Sequence, residues 1–347
     1  MYLFIFLLTL CLAISFAKPK ADLKSFSVEA LMPLRGILAV FIVLHHCVLR
    51  TDGAGADVPW VLSQFSFMGA PVVAVFFFLS GYGLTRSLKC KGEAYLHGFL
   101  HKRLSKILIP LVLCSIVYSL VDITILGGQF PNIKRDWPFL PNCWFCVTIA
   151  VYYLAFYILA RRSKGKIKTL MMAMFLFTIA YIALLKILQF GNWWFQTPVS
   201  LNMGMFAACY EGKMRNILKV SYRLIEVILL FALIGCSYLT RLEDICGWPI
   251  EFMLLSVLLG AFVYAMVCRS PLPNNKVLCF LGKYSYEIYL VHGAIISVLF
   301  GRAYTYIADW WHVFVLLTLL SSFAAAVILR KVVSYIHLQW MIRKTIN

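Results

Sequence analysis

Apolar runs close to twenty residues long recur along this whole chain, and they constrain its fold more than any other feature. They lie near residues 2–17, 31–50, 65–85, 106–126, 143–160, 169–188, 194–211, 222–240, 250–268, 281–300 and 310–329. Twenty residues in a helix span about 30 Å, the thickness of a bilayer's hydrocarbon core. A transmembrane barrel would need short alternating strands, and the pattern has none. Hydrophobic residues make up 62% of the chain and charged residues only 13%, against about 25% charged in an ordinary soluble domain. So few charges cannot cover so much apolar surface in water. The pattern predicts an all-α, polytopic integral membrane protein with a ten-helix core and an extra amino-terminal helix.

A net charge of +18 raises the question of a nucleic-acid partner. Lys and Arg also mark the cytoplasmic loops of membrane proteins, and their distribution separates the two readings. Call the side facing Lys18, Lys20 and Lys24 the inside. Of the 32 basic residues, only Arg50, Lys134, Arg135, Lys186, Arg241 and Arg302 then fall outside. A miscounted helix would scramble this alternation downstream of the error. The charge is therefore explained by a lipid bilayer, with no nucleic acid. The expected location is the cell's inner (cytoplasmic) membrane, with many passes and a cytoplasmic carboxyl terminus.

Residues 2–17 end in Ser15-Phe16-Ala17 before Lys18, which is the small-residue close of a signal peptide. The basic flank, however, follows the apolar run instead of preceding it. Cleavage would also place Lys18 outside and reverse every later loop. The expected organisation is residues 1–27 as an apolar helix, either an extra transmembrane helix or an uncleaved signal-like segment. A single membrane domain over 28–347 follows. No internal repeat or low-complexity tract interrupts it. Cys143 and Cys146 form a Cys-x-x-Cys with no second pair at metal spacing, so no metal is expected. A disulfide among Cys143, Cys146 and Cys246 stays open.

Ionisable groups at membrane depth cost a few kcal/mol each and mark candidate sites. Arg35 and His46 are eleven residues apart, which in a helix is three turns plus about 20°, so both face one side. The rise between them is about 16 Å, and His45 lies about 80° off that stripe. Taken singly, Arg35 reads as a snorkelling interfacial charge and His46 as a packing residue. Their shared stripe favours a site with a cation near the cytosol and an imidazole in the outer half.

Three further segments join this helix: Phe76-Phe77-Phe78-Leu79-Ser80-Gly81-Tyr82; Arg103-Leu104-Ser105-Lys106 before Pro110; and Gly282-Lys283-Tyr284-Ser285-Tyr286-Glu287-Ile288-Tyr289-Leu290-Val291-His292. In this order they resemble the acyltransferase 3 family of membrane acyltransferases. That family has an Arg-x10-His helix, an FFxLSGF-like helix, an RxxR pair before a proline and a GxxSYxxYLxH-like helix. The resemblance runs from about Val28 to about Arg343. It implies O-acyl transfer from acyl-CoA, acetyl-CoA in the first instance, to a carbohydrate hydroxyl on a lipid-linked or surface glycan. It carries His46 and Arg35 onto catalytic positions, and Arg35, Arg103 and Lys106 onto donor binding. Lys106 stands where the family has a second Arg; it keeps the charge but lacks the bidentate fork that suits phosphate. Ile149 stands where many members carry Glu, so that carboxylate has no part here.

Coenzyme A has an anionic nucleotide end and a long arm ending in the thioester. Arg35, Arg103 and Lys106, all on the inside, suit its phosphates. His46 could then act as general base on the acceptor hydroxyl or take the acyl group as a nucleophile. Ser285, Tyr289 and His292 fall at i, i+4 and i+7, and either line the acceptor path or orient His46. Ser80, Tyr82 and Trp144 are further candidates for that path. Asp122 and Glu226 are expected to pair with Tyr or Lys neighbours. The rival class is a sugar or polysaccharide transporter, which predicts repeat symmetry and charges spread over many helices; neither is present. The sequence does not speak to oligomeric state.

Overall fold

The computed structural model describes residues 1–17, 23, 26–53, 57–126, 143–240, 249–270, 272–307 and 310–346. The basic flank at Lys18, Lys20 and Lys24, the proline-bearing stretch 127–142, Arg241 and Cys246 lie outside these residues. Among the described residues the chain is helical and contains no strand. In chain order the helices are α1 (Tyr2–Ala17), α2 (Val28–Gly53), α3 (Trp60–Ser63), α4 (Gly69–Lys91), α5 (Ser105–Val121) and α6 (Trp144–Arg162). They continue as α7 (Ile167–Ile187), α8 (Val199–Cys209), α9 (Glu211–Leu239) and α10 (Ile250–Arg269). The last three are α11 (Lys276–Lys283), α12 (Ser285–Ile307) and α13 (Trp311–Ile346).

Each apolar run read from the sequence falls on a helix, and the protein is an all-α, multi-pass membrane protein. Among the described residues, seven helices are long and apolar enough to cross a bilayer: α2, α4, α5, α6, α7, α10 and α13. Shorter apolar helices cover Tyr2–Phe16 and Ser285–Phe300. Exposed apolar side chains line α5 at Leu108, Val112, Ile116 and Leu120, four residues apart on one face. Such a stripe is costly in water and ordinary against hydrocarbon. The segment 89–105 is mostly wound into helix, with a 3₁₀ turn at Gly92–Leu96 and a π-helical turn at Leu100–Leu104. These turns keep backbone groups paired close to the membrane.

The chain divides into two compact units. One comprises Met1–Leu31, Phe67–Leu104 and Thr148–Pro273; the other comprises Met32–Ser66, Ser105–Val147 and Asn274–Asn347. In the first unit α4 and α8 meet backbone to backbone. A Cβ on Gly81 would collide with the Leu201 carbonyl, and one on Gly204 with the Phe78 carbonyl. Small residues allow this approach, the usual way apolar helices gain packing energy in lipid. The polar groups this buries are satisfied locally. Asn202 Nδ2 donates to Thr178 Oγ1 at 2.7 Å, and Ser200 Oγ donates to the Ser256 carbonyl at 3.1 Å.

In the same unit α1 packs against α9. Ser15 Oγ lies 2.9 and 3.2 Å from the two carboxylate oxygens of Glu226 and donates to them. Glu226, for which a Tyr or Lys partner was expected, is thus met by a hydroxyl from the amino-terminal helix. This donor lies 211 residues away, beyond the reach of helical periodicity. α9 itself bends at Ser221, whose φ of −131° and ψ of 30° are not helical.

The α4–α8 contact yields a stability prediction. Gly204→Val should lower unfolding stability by about 1–3 kcal/mol or more through overpacking. Gly235→Val, at a position with nothing within 4 Å, should leave it unchanged. Thermal unfolding of detergent-solubilised protein, followed by fluorescence-detected size exclusion, measures the difference.

Candidate active site

The site is built inside the second unit, on α2, α11 and α12. α11 starts at Asn275, whose side-chain oxygen accepts from the backbone N–H groups of Val277 and Leu278 at 2.9 and 3.1 Å. This cap fixes the first turn of a short helix. α11 then meets α2 at two glycines. A Cβ on Gly36 would strike the Leu278 carbonyl, and one on Gly282 would strike the Met32 carbonyl. The backbones therefore touch at Gly36 and Gly282, immediately beside Arg35 and just before Ser285.

From that contact α2 and α12 run in the same direction, joined by two polar rungs. Arg35 Nη2 donates to Ser285 Oγ at 3.1 Å. Further along, His46 Nδ1 lies 2.6 Å from His292 Nε2. Arg35 and His46 thus share one face, as their spacing predicts, and that face looks at α12. Ser285 and His292 are seven residues apart, two turns less about 20°, so they form the matching stripe. The rise between them is about 6 Å shorter than that from Arg35 to His46, and the long Arg35 side chain takes up the difference. Ser285, His46 and His292 are all buried, at 2%, 7% and 0% exposed.

The imidazoles meet edge to edge. Their centroids are 4.8 Å apart and their planes 22° from parallel, with the two facing nitrogens on the line between them. His292 is wedged by Tyr289, whose ring centroid is 5.5 Å away, and Tyr289 in turn meets Phe145 edge-on at 5.3 Å. His45, off the stripe as expected, turns to the chain after α3 and lies 3.2 Å from the Phe65 carbonyl. Its ring therefore fastens that segment.

The remaining sequence candidates are distributed as follows. Trp144 opens α6 and meets Phe145 edge-on at 6.4 Å. Lys106, at the start of α5, is exposed and belongs to this second unit. Arg103, Ser80 and Tyr82 belong to the first unit. There Arg103 sits over the Tyr95 ring at 5.8 Å, Ser80 Oγ is 3.5 Å from Tyr153 Oη, and Tyr82 packs on Phe26 at 4.5 Å. Sequence reasoning gave no partner to Glu287. Its carboxylate lies 3.9 Å from Arg330 Nε, and Arg330 also donates to the Lys283 carbonyl and covers the Tyr284 ring at 5.0 Å. No local signal relates a residue of α12 to one on α13. Along α12 an apolar cavity of about 520 Å³ opens between α5, α12 and α13, with Leu290, Val291, Ala294 and Ile295 in its wall.

A family model described as an acyltransferase domain matches residues 30–331, nearly the whole chain. The protein belongs to the acyltransferase 3 family. Comparisons with curated proteins and with solved structures return no match. As a family member it is a membrane acyltransferase, moving acyl groups other than amino-acyl groups. The matched region contains both rungs, from Arg35 to His292, and in acyltransferase 3 terms these are the first and last motifs of the pattern. It leaves out all of α1.

The lower rung can be measured in isolation. In a double-mutant cycle of Arg35→Gln and Ser285→Ala, unfolding free energies should show a coupling of about 1–3 kcal/mol, the size of a hydrogen bond to a charged group. Additive effects would mean the two side chains do not meet.

Proposed function

We propose that this acyltransferase moves an acetyl group from cytoplasmic acetyl-CoA to a carbohydrate hydroxyl of a lipid-linked or surface glycan, in the cell's inner membrane with its carboxyl terminus in the cytoplasm. The observation that carries the reading is the pair of rungs on α2 and α12. One end of a single helix pair offers a cation, and the other, about 16 Å along α2, offers a buried imidazole. A donor with a polyanionic head, an extended arm and a thioester has that same separation of parts.

In this reading Arg35 and Lys106 hold the donor phosphates by charge-assisted hydrogen bonds. Lys106 does so as a point charge. His46 performs the chemistry by one of two routes. As general base it takes the acceptor's hydroxyl proton while that oxygen attacks the thioester carbonyl. The carbon–sulfur bond then breaks, and the departing thiolate recovers the proton from the imidazolium. As nucleophile it bonds the acyl carbon itself and releases the thiolate, then passes the acyl group to the hydroxyl in a second step, the hydroxyl's proton ending on the thiolate. Trp144, Ser285 and Tyr289 are assigned to the acceptor path. The apolar cavity against α12 supports an acceptor with a hydrocarbon tail, since its wall offers only apolar side chains and Ser321, Tyr118 and Cys114.

The test uses purified protein in lipid nanodiscs with isotopically labelled acetyl-CoA and a lipid-linked oligosaccharide, read by mass spectrometry. His46→Ala should lower acetyl transfer at least about 100-fold, the scale of a lost general base, while folded yield stays level. Undiminished transfer by folded His46→Ala protein would rule out this assignment. Acetyl-CoA that is neither bound nor hydrolysed by wild-type protein would point instead to a transport role.

A further inference from the structure

We infer that His292 is a positioning residue that selects which nitrogen of His46 carries out the transfer. The inference rests on His46 being the general base or nucleophile proposed above. It starts from one atom of α12. His292 Nδ1 lies 3.2 Å from the Ile288 carbonyl, four residues back along its own helix. A carbonyl only accepts, so Nδ1 carries the proton. A neutral imidazole has one N–H, which leaves His292 Nε2 as a lone pair. That lone pair faces His46 Nδ1 at 2.6 Å, so His46 Nδ1 donates. The one nitrogen of His46 then left bare is Nε2. The helix backbone thus sets the tautomer of the second ring, and the second ring sets that of the first.

The assignment has mechanical support. The rings meet edge-on with planes 22° apart, the orientation in which an in-plane lone pair accepts an in-plane N–H. Tyr289 and Phe145 wedge His292 from one side. The glycine contact at Gly36 and Gly282 and the Arg35–Ser285 rung fix how far α2 can slide along α12. As Nε2 gains a proton from the hydroxyl, or bonds the acyl carbon, His46 becomes cationic. Its Nδ1–H bond to His292 then becomes charge-assisted and stronger. Serine hydrolases use a buried carboxylate for the same orientation. A neutral imidazole does so without placing an anion beside hydrocarbon, where an isolated charge is expensive.

Three variants in nanodiscs, assayed for acetyl transfer, test this. His292→Leu removes the acceptor and lets His46 adopt the wrong tautomer. It should lower kcat by about 100- to 10,000-fold, the range seen when an orienting group is lost, with KM for acetyl-CoA changed less than about threefold. His292→Gln places an amide oxygen near the former Nε2, and should restore kcat to within about tenfold of wild type. Loss of kcat in Leu with recovery in Gln supports the inference. A wild-type kcat in His292→Leu overturns it, as does a folded His292→Gln no better than Leu, which would mean the ring itself carries protons. Should Leu fail to fold, the Gln variant decides alone: retained kcat supports, and loss overturns. The His46→Ala control keeps the two claims apart, since activity there defeats the proposed chemistry whatever His292 does.

Discussion

A hydrogen bond between two imidazoles at membrane depth depends on a contact made elsewhere, the backbone approach of α2 and α11 at Gly36 and Gly282. Lipid supplies no hydrophobic force to press helices together, so close packing must do so. Only residues without side chains let these two backbones meet. Once they meet, Arg35 and Ser285 are adjacent at the near end, and the parallel course of α2 and α12 carries His46 to His292. The chemistry-bearing end of the pair is therefore held by a steric fit several turns away. A substitution at either glycine would be felt at the histidines before it touched them.

Much of the fold was legible because the membrane simplifies the code. Hydrocarbon admits only helices and closed barrels, so run length alone assigns each segment, and the eleven runs all appear as helices. The less legible parts are those where helix length and span diverge. Val199–Cys209 is an eleven-residue helix within an apolar run long enough to suggest a full crossing. Gly81 and Gly204, which seat it against α4, carry no apolar signal at all. The turns at Gly92–Leu96 and Leu100–Leu104 were hidden for the opposite reason, since their charged and polar residues read as loop.

The site divides along the same line. Arg35 and His46 could be placed on one face because both lie on one helix, where 100° per residue is a sufficient rule. Ser285, Tyr289 and His292 could be grouped for the same reason. What periodicity cannot give is the pairing of two stripes from opposite ends of the chain. The His46–His292 bond joins residues 246 positions apart. Ordered motifs identified the family, while the identity of the partner atoms came only with three dimensions. Glu226 makes the point in reverse: a carboxylate with plausible neighbours on its own helix turns instead to Ser15.

The central claim is that these two rings share one proton between Nδ1 of His46 and Nε2 of His292. The most direct measurement is solid-state NMR of protein labelled with ¹⁵N-histidine and reconstituted in bilayers. A through-hydrogen-bond ¹⁵N–¹⁵N scalar coupling should link those two nitrogens, with His46 Nε2 showing the shift of an unprotonated ring nitrogen. No coupling, together with a protonated His46 Nε2, would contradict the account at its base.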